Sequence, residues 1–331
     1  MRAGAATVGV LMLMSPLLTQ GSHDHPFEFL TPTIQFSDED RATLNRREIV
    51  LRILHAEGHE LAVLTAGAID ITPDEFIASV NNMPGLKKGP LVPQIGRFSS
   101  PPRLEDLQSL TLDDTDIAAI RRCRPDHCGL KLSDEEIERL QRVVDDGHPA
   151  SALDAEFRRV ILDRANAYLR AGDDRTLSEF SSLVDHSPYV SAHMPQLVTY
   201  LTQYPRQHLP GAESFLYWSK ETYAWKPMIT VTHVTIVRGE PEQGSPEVLV
   251  ISRDVLSTRY TSGSFIVTLL LRDTTSPPKR YLVYVNRTWV DGVRALWRPF
   301  VEYRIKRQAR KIFEEVRDRL EHHAPAADGS S

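Results

Sequence analysis

The chain has 331 residues, 41% of them hydrophobic, and carries 39 Lys and Arg against 44 Asp and Glu, a formal net charge of −5. That length suffices for one large domain or two small ones, and the apolar fraction is that of an ordinary globular protein. The acidic balance excludes a general affinity for nucleic acid.

The first residues, MRAGAATVGVLMLMSPLLTQGSHDHP, set Arg2 ahead of an uncharged stretch from Ala3 to Leu18, with small residues at Thr19, Gly21 and Ser22. This is the layout of a secretory signal peptide. Residues 1–21 are expected to be cleaved near Gly21, leaving a periplasmic or secreted protein with a net charge of −6 once Arg2 is lost. A retained anchor is a competing reading, but the stretch is short against the roughly 20 apolar residues a membrane span needs. A cytosolic start is the other.

Ser37, followed by Asp38, Glu39 and Asp40, predicts the start of a short helix. Ile49, Leu51 and Ile53 then alternate, AEGHE turns the chain at Gly58, and Leu61 and Val63 resume the pattern, which predicts a β-hairpin. Thr72, Pro73 and Glu75 form a capping-box pattern ahead of Phe76, Ile77 and Val80. LVPQIGRFSSPP reads as a short extended segment ended by Pro101 and Pro102.

Residues from 103 to about 210 have helical period and high charge. Ser133 with Glu136 caps one helix. Leu153, Phe157, Val160, Ile161, Ala165 and Tyr168 form the apolar face of another, stopped by Gly172. MPQLVTYLTQYP closes the block at Pro205. From residue 212 the pattern is β-branched and aromatic with short turns, which predicts an antiparallel sheet. A long helix follows, with Val301, Ile305, Ala309, Ile312, Val316 and Leu320 as one stripe, and APAADGSS reads as a disordered tail.

The only cysteines, Cys123 and Cys128, flank Pro125 and His127. In an exported protein such a pair closes a small disulfide loop. The spacing does not match C-x-x-C-H, and zinc wants about four ligands. Free thiols and a metal or redox role are the alternatives.

The stretch AVLTAGAIDITPDEFIASVNNM, residues 62–83, with Pro73, Asp74, Glu75 and Phe76 opening its helix, resembles the START/Bet v 1-like helix-grip (SRPBCC) superfamily. The resemblance spans residues 45–100 and 212–322. It implies an α+β fold in which a curved antiparallel sheet grips the long C-terminal helix around an apolar cavity. Residues 103–210 are then a helical insertion within one domain, 22–331. That insertion is expected to pack on one edge of the sheet, to be dispensable for the core fold, and to offer a surface to a protein partner. Members of the superfamily bind lipids, sterols and other apolar molecules, and some act as cyclases. The chain also resembles exported bacterial proteins, a likeness that implies no function.

His233 in TVTHVTIV is a candidate cavity-lining base or a hydrogen-bonded strand histidine. Arg253 and Arg259, six apart, are placed on one side, either solvated or meeting an anionic head group. Tyr217 and Tyr284 are candidates to orient a ligand through their hydroxyls. His186 and His193 lack helical ligand spacing, so no metal is expected. No G-x-S-x-G elbow, P-loop, dinucleotide fingerprint or HExxH is present. The expectation is a binding or carrier protein for a hydrophobic small molecule or lipid, with His233, Arg253, Arg259, Tyr217 and Tyr284 as ligand contacts and no cofactor. A cyclase- or hydratase-type enzyme using His233 and a tyrosine is the alternative, as is a cell-envelope interaction protein without ligand.

Overall fold

The computed structural model describes residues 26–172, 177–223, 226–239, 245–273, 278–292 and 298–322. The signal segment 1–21 and the tail from 324 lie outside the described residues. The first part of the chain forms α1 (Asp38–Asn45), β1 (Val50–Ile53), β2 (Glu60–Ile69), α2 (Pro73–Asn81), α3 (Met83–Lys87) and β3 (Gln94–Arg97). The helical block is α4 (Asp114–Arg122), α5 (Asp134–Asp145), α6 (Ala150–Ala171), α7 (Leu177–Asp185), α8 (Pro188–His193) and α9 (Pro195–Gln203). Then come β4 (Glu213–Glu221), β5 (Met228–Arg238), β6 (Val248–Ser257), β7 (Thr261–Asp273), β8 (Lys279–Val290) and α10 (Arg298–His322).

The strands form one curved, open, eight-stranded sheet in the order β1-β2-β8-β7-β6-β5-β4-β3, with antiparallel neighbours throughout. The meander from β4 to β8 fills the centre. β8 closes on β2, and β3 reaches the far edge beside β4. Local chemistry sets the helix starts as expected: Ser37, Thr72 and Ser133 each accept a backbone N–H while the third helical residue caps back.

Alternation along the strands gives the sheet two faces, and both are covered. On one, Phe215, Val234, Ile236, Val250, Leu270 and Leu282 pack with Phe76, Ile77 and Val80 of α2 and with Phe313 and Leu320 of α10. α10 lies along β1 and β2 with α2 and α3 beside it. On the other face, Leu64, Ile251, Phe265, Val267, Leu269 and Val283 pack with Phe180, Leu183, Tyr189 and Leu197 of the block. Trp218, Val231 and Leu256 pack there with Phe157, Ile161 and Tyr168 of α6. β2 reads ELAVLTAGAI and is buried along its whole length, as a strand between two helical layers must be.

The helical block therefore does not sit on one edge. It forms the third layer of the molecule, because the face beneath it is as apolar as the face beneath α10. The α10 stripe also differs from expectation. Leu320 is buried, but Val301, Ile305, Ala309, Ile312 and Val316 are only partly so, and Phe313, outside the stripe, is 5% exposed. The stripe faces a hollow rather than a packed surface. Phe313 instead meets the sheet at Gly67, where an added Cβ would lie 2.8 Å from its ring.

Cys123, at the end of α4, is bonded to Cys128. The enclosed turn pairs Arg124 with His127 through backbone hydrogen bonds and turns at Asp126, whose φ is 62°.

Candidate functional site: a cavity beneath the C-terminal helix

A cavity of about 360 Å³ lies between α10, the α2–α3 pair and the sheet. One part of its wall is apolar: Phe76, Val80, Met83, Val250, Ile266 and Leu282 meet Ile305, Ala309, Ile312 and Val316 of α10. The other part is polar, and strand alternation builds it. Tyr217 and Glu221 of β4 share a face with Asp254 of β6 and with Tyr284, Asn286 and Thr288 of β8. Lys87, at the end of α3, enters from the side.

The polar groups form three hydrogen-bonded clusters. Lys87 Nζ donates to the Tyr217 hydroxyl at 3.0 Å and to Glu221 Oε1 at 3.1 Å. Ser219 donates to the same Glu221 oxygen at 2.8 Å. Thr232 donates to Asp254 Oδ1 at 2.8 Å. Asn286 Nδ2 donates to the Tyr284 hydroxyl at 3.2 Å, and Thr288 donates to Asn286 Oδ1 at 2.6 Å. Thr65, also on the wall, has a buried hydroxyl with no protein partner among the described residues.

Burial works against the Lys87 ammonium, but Glu221 and the neighbouring tyrosines outweigh it and hold it well above the usual lysine value. Burial pushes the Tyr217, Tyr223 and Tyr284 hydroxyls up, so all three stay protonated donors. Burial first, and then Glu221, pushes the Asp254 carboxyl up to about 6. Asp254 retains some accessible surface although protein encloses it.

The structure brings together two of the five expected ligand contacts, Tyr217 and Tyr284. His233, Arg253 and Arg259 lie on the opposite face, under the helical block. His233 Nδ1 is 2.7 Å from the Tyr168 hydroxyl of α6, and its ring stands among Tyr168, Tyr200 and Tyr204. Burial, reinforced by Arg253, pulls its pKa down to about 3, so it is a neutral core histidine. The Arg253 guanidinium stacks 4.0 Å from the Phe180 ring. Arg259, beyond the end of β6, bonds Asp116 of α4 at 2.6 Å. Both arginines are buried, so neither is solvated and neither reaches the cavity. They pin the helical block to the sheet.

Sequence reasoning missed Lys87, Glu221 and the cavity role of Asp254. For Glu221 the signal was present: it stands four residues from Tyr217 on one strand, hence on the same face. Asp254 follows from Arg253 by the same rule once the orientation of either is known. Lys87 enters from a neighbouring helix, and nothing local marks it.

Among the described residues no cluster of His, Cys, Asp and Glu could hold a metal ion, and no helix is long and apolar enough to cross a membrane. Comparison with protein-family models, with curated proteins and with solved structures gives no match.

Proposed function

We propose that this is an exported protein that binds or carries an amphipathic small molecule or lipid in the cavity beneath α10. The observation that carries this reading is the division of one hollow into an apolar wall and a polar wall of Lys87, Tyr217, Glu221, Asp254 and Tyr284. Small-molecule sites combine these features: apolar area for affinity and a few polar groups for orientation. The sheet-and-helix arrangement is compatible with the helix-grip superfamily, and the resemblance of residues 62–83 supports membership. The disulfide and the signal-like character of residues 1–21 support export into an oxidising compartment. Native mass spectrometry of protein purified from a bacterial periplasm is expected to show an added mass that is released on denaturation. A ligand-free mass, together with no uptake of an apolar fluorescent probe, would overturn the reading.

A second reading, a cyclase- or hydratase-type enzyme on the same cavity, has one observation in its favour. Asp254 is pushed to about 6, where a carboxyl can hold or give a proton near neutral pH. His233, on the other face, has no part in it. Conversion of the released ligand on re-addition to the protein would favour this reading over carriage.

A further inference from the structure

The sheet is split at its centre, beside Asp254. β6 and β7 are paired only between Val248–Ser252 and Ile266–Leu270. Further along, β6 stays with β5 as far as Ser257 and β7 stays with β8 from Thr261, so residues 253–257 and 261–265 carry no ladder pairing with each other, although the Asp254 N–H still reaches Ser264 Oγ. A bulge at Val255 of β6, left without a partner between Val231 and Thr232 of β5, marks the same level. A second hollow of about 540 Å³ opens on the helical-block side of the split, lined by Lys131, Arg164, Tyr168, Glu179, Leu256 and Ser262 among others. Asp254 and Thr261 line both hollows.

Several charges of the two hollows are matched, whereas Glu179 and Arg319, like Asp254, are in no ion pair among the described residues. Lys87 pairs with Glu221 at 3.1 Å, Lys131 with Asp291 at 2.5 Å, and Arg164 with Glu136. The Asp254 carboxylate receives the Thr232 hydroxyl, and its own backbone N–H donates to Ser264 Oγ at 3.1 Å, but neither partner carries charge. Among the described residues no cation forms an ion pair with Asp254: Lys87 acts on it only from a distance and is already paired with Glu221. A buried carboxylate without a counter-charge is costly, and a cation placed beside it recovers much of that cost. Tyr217, Tyr223 and Tyr284 stand in the same wall, and aromatic rings favour a neighbouring ammonium. A carboxylate-headed ligand would meet Glu221 and Asp254 on that wall, while Arg319, which also lines the cavity, is occupied by the Leu86 carbonyl at 2.7 Å.

We propose that the cavity takes a ligand with an ammonium group on an apolar body, and that Asp254 at the split between β6 and β7 is the counter-charge for that group. This rests on the ligand-binding reading above. The test uses the full chain and three single-chain probes below their micellar concentrations: dodecylamine, dodecanol and dodecanoate. Calorimetric titration at pH 7.5 compares the wild type with Asp254→Asn. The amine is expected to bind the wild type about tenfold or more tighter than the alcohol or the acid, the size of one charge-assisted contact. That preference should vanish in Asp254→Asn while alcohol binding persists. Asp254→Ser replaces the asparagine variant if the latter does not unfold cooperatively. Preference for the acid, equal binding of all three, or an amine preference retained in the variant overturns the amine proposal and leaves the cavity reading standing. Binding of none of the three overturns both.

Discussion

Burial acts on Asp254 and His233 in opposite directions. The Asp254 carboxyl rises from 3.8 to about 6, so the native state holds its proton more tightly than the unfolded chain does. Stability is therefore lost as pH rises between about 4 and 6, and the penalty persists above that window. At full ionisation it is on the order of 3 kcal/mol at most. Asp254→Asn should accordingly raise the denaturation midpoint at pH 7.5 and leave it unchanged near pH 3.5; equal midpoints at both would show that the carboxylate is not desolvated. His233 falls from 6.5 to about 3, so the unfolded chain takes up its proton first. Here stability is lost as pH falls through 6.5 towards 3. His233→Leu should flatten the acid limb between pH 6.5 and 4 in urea titrations, whereas an unaltered limb would mean that the imidazole is protonated in the native state. The two windows overlap, so only the paired variants separate them.

At the scale of elements, α10 is tied at its start by Arg298, which donates to the Ala56, Gly58 and Glu60 carbonyls, and its buried apolar contacts lie in its C-terminal half. Phe313 and Leu320 are buried, while Ile305, Ala309 and Ile312, on the same cavity wall, are only partly so. Phe313→Ala should cost about 3–5 kcal/mol, the usual range for a core aromatic. Ile312→Ala should cost less, about 2 kcal/mol or below, because part of its surface already faces a hollow. Gly67→Ala should cost about 1–3 kcal/mol, since the new methyl collides with the Phe313 ring across the strand–helix contact. Guanidinium unfolding of the three variants checks the order; a larger loss for Ile312 than for Phe313 would mean that the stripe, not Phe313, anchors the helix. The Cys123–Cys128 loop is a smaller element. Replacing both by Ser removes a short cross-link worth about 2 kcal/mol, read as a fall in unfolding free energy of the variant against the oxidised protein.

For the whole molecule the decisive feature is the third layer. Joining residue 102 to residue 212 through a Gly/Ser linker would bare Trp218, Val231, Phe265, Val267 and Leu269, all buried beneath the helical block. It would also strip Arg253 and Arg259 of their block partners, Phe180 and Asp116. Such a deletion should be insoluble or lack a cooperative transition in circular dichroism and sedimentation. A monomeric, strand-rich product with a sharp transition would bear out the expectation of a dispensable insertion.

Much of the secondary structure was legible in the sequence, because it depends on neighbours along the chain. Ser37, Thr72 and Ser133 mark their helices by hydrogen bonds that span three residues, and the strands after 212 carry their own period. The cysteine pair was legible for the same reason, being five positions apart. Alternation also told which residues share a face, but not which face lies under α10. That choice depends on contacts between residues far apart in sequence, such as Tyr168 with His233 and Asp116 with Arg259. It sent His233, Arg253 and Arg259 beneath the helical block and gathered Tyr217, Glu221, Asp254 and Tyr284 around Lys87. The split between β6 and β7, which makes Asp254 reachable from both faces, is likewise a product of the assembled sheet: each strand finds a full partner on its outer side, and nothing in either strand's own residues marks where the two part.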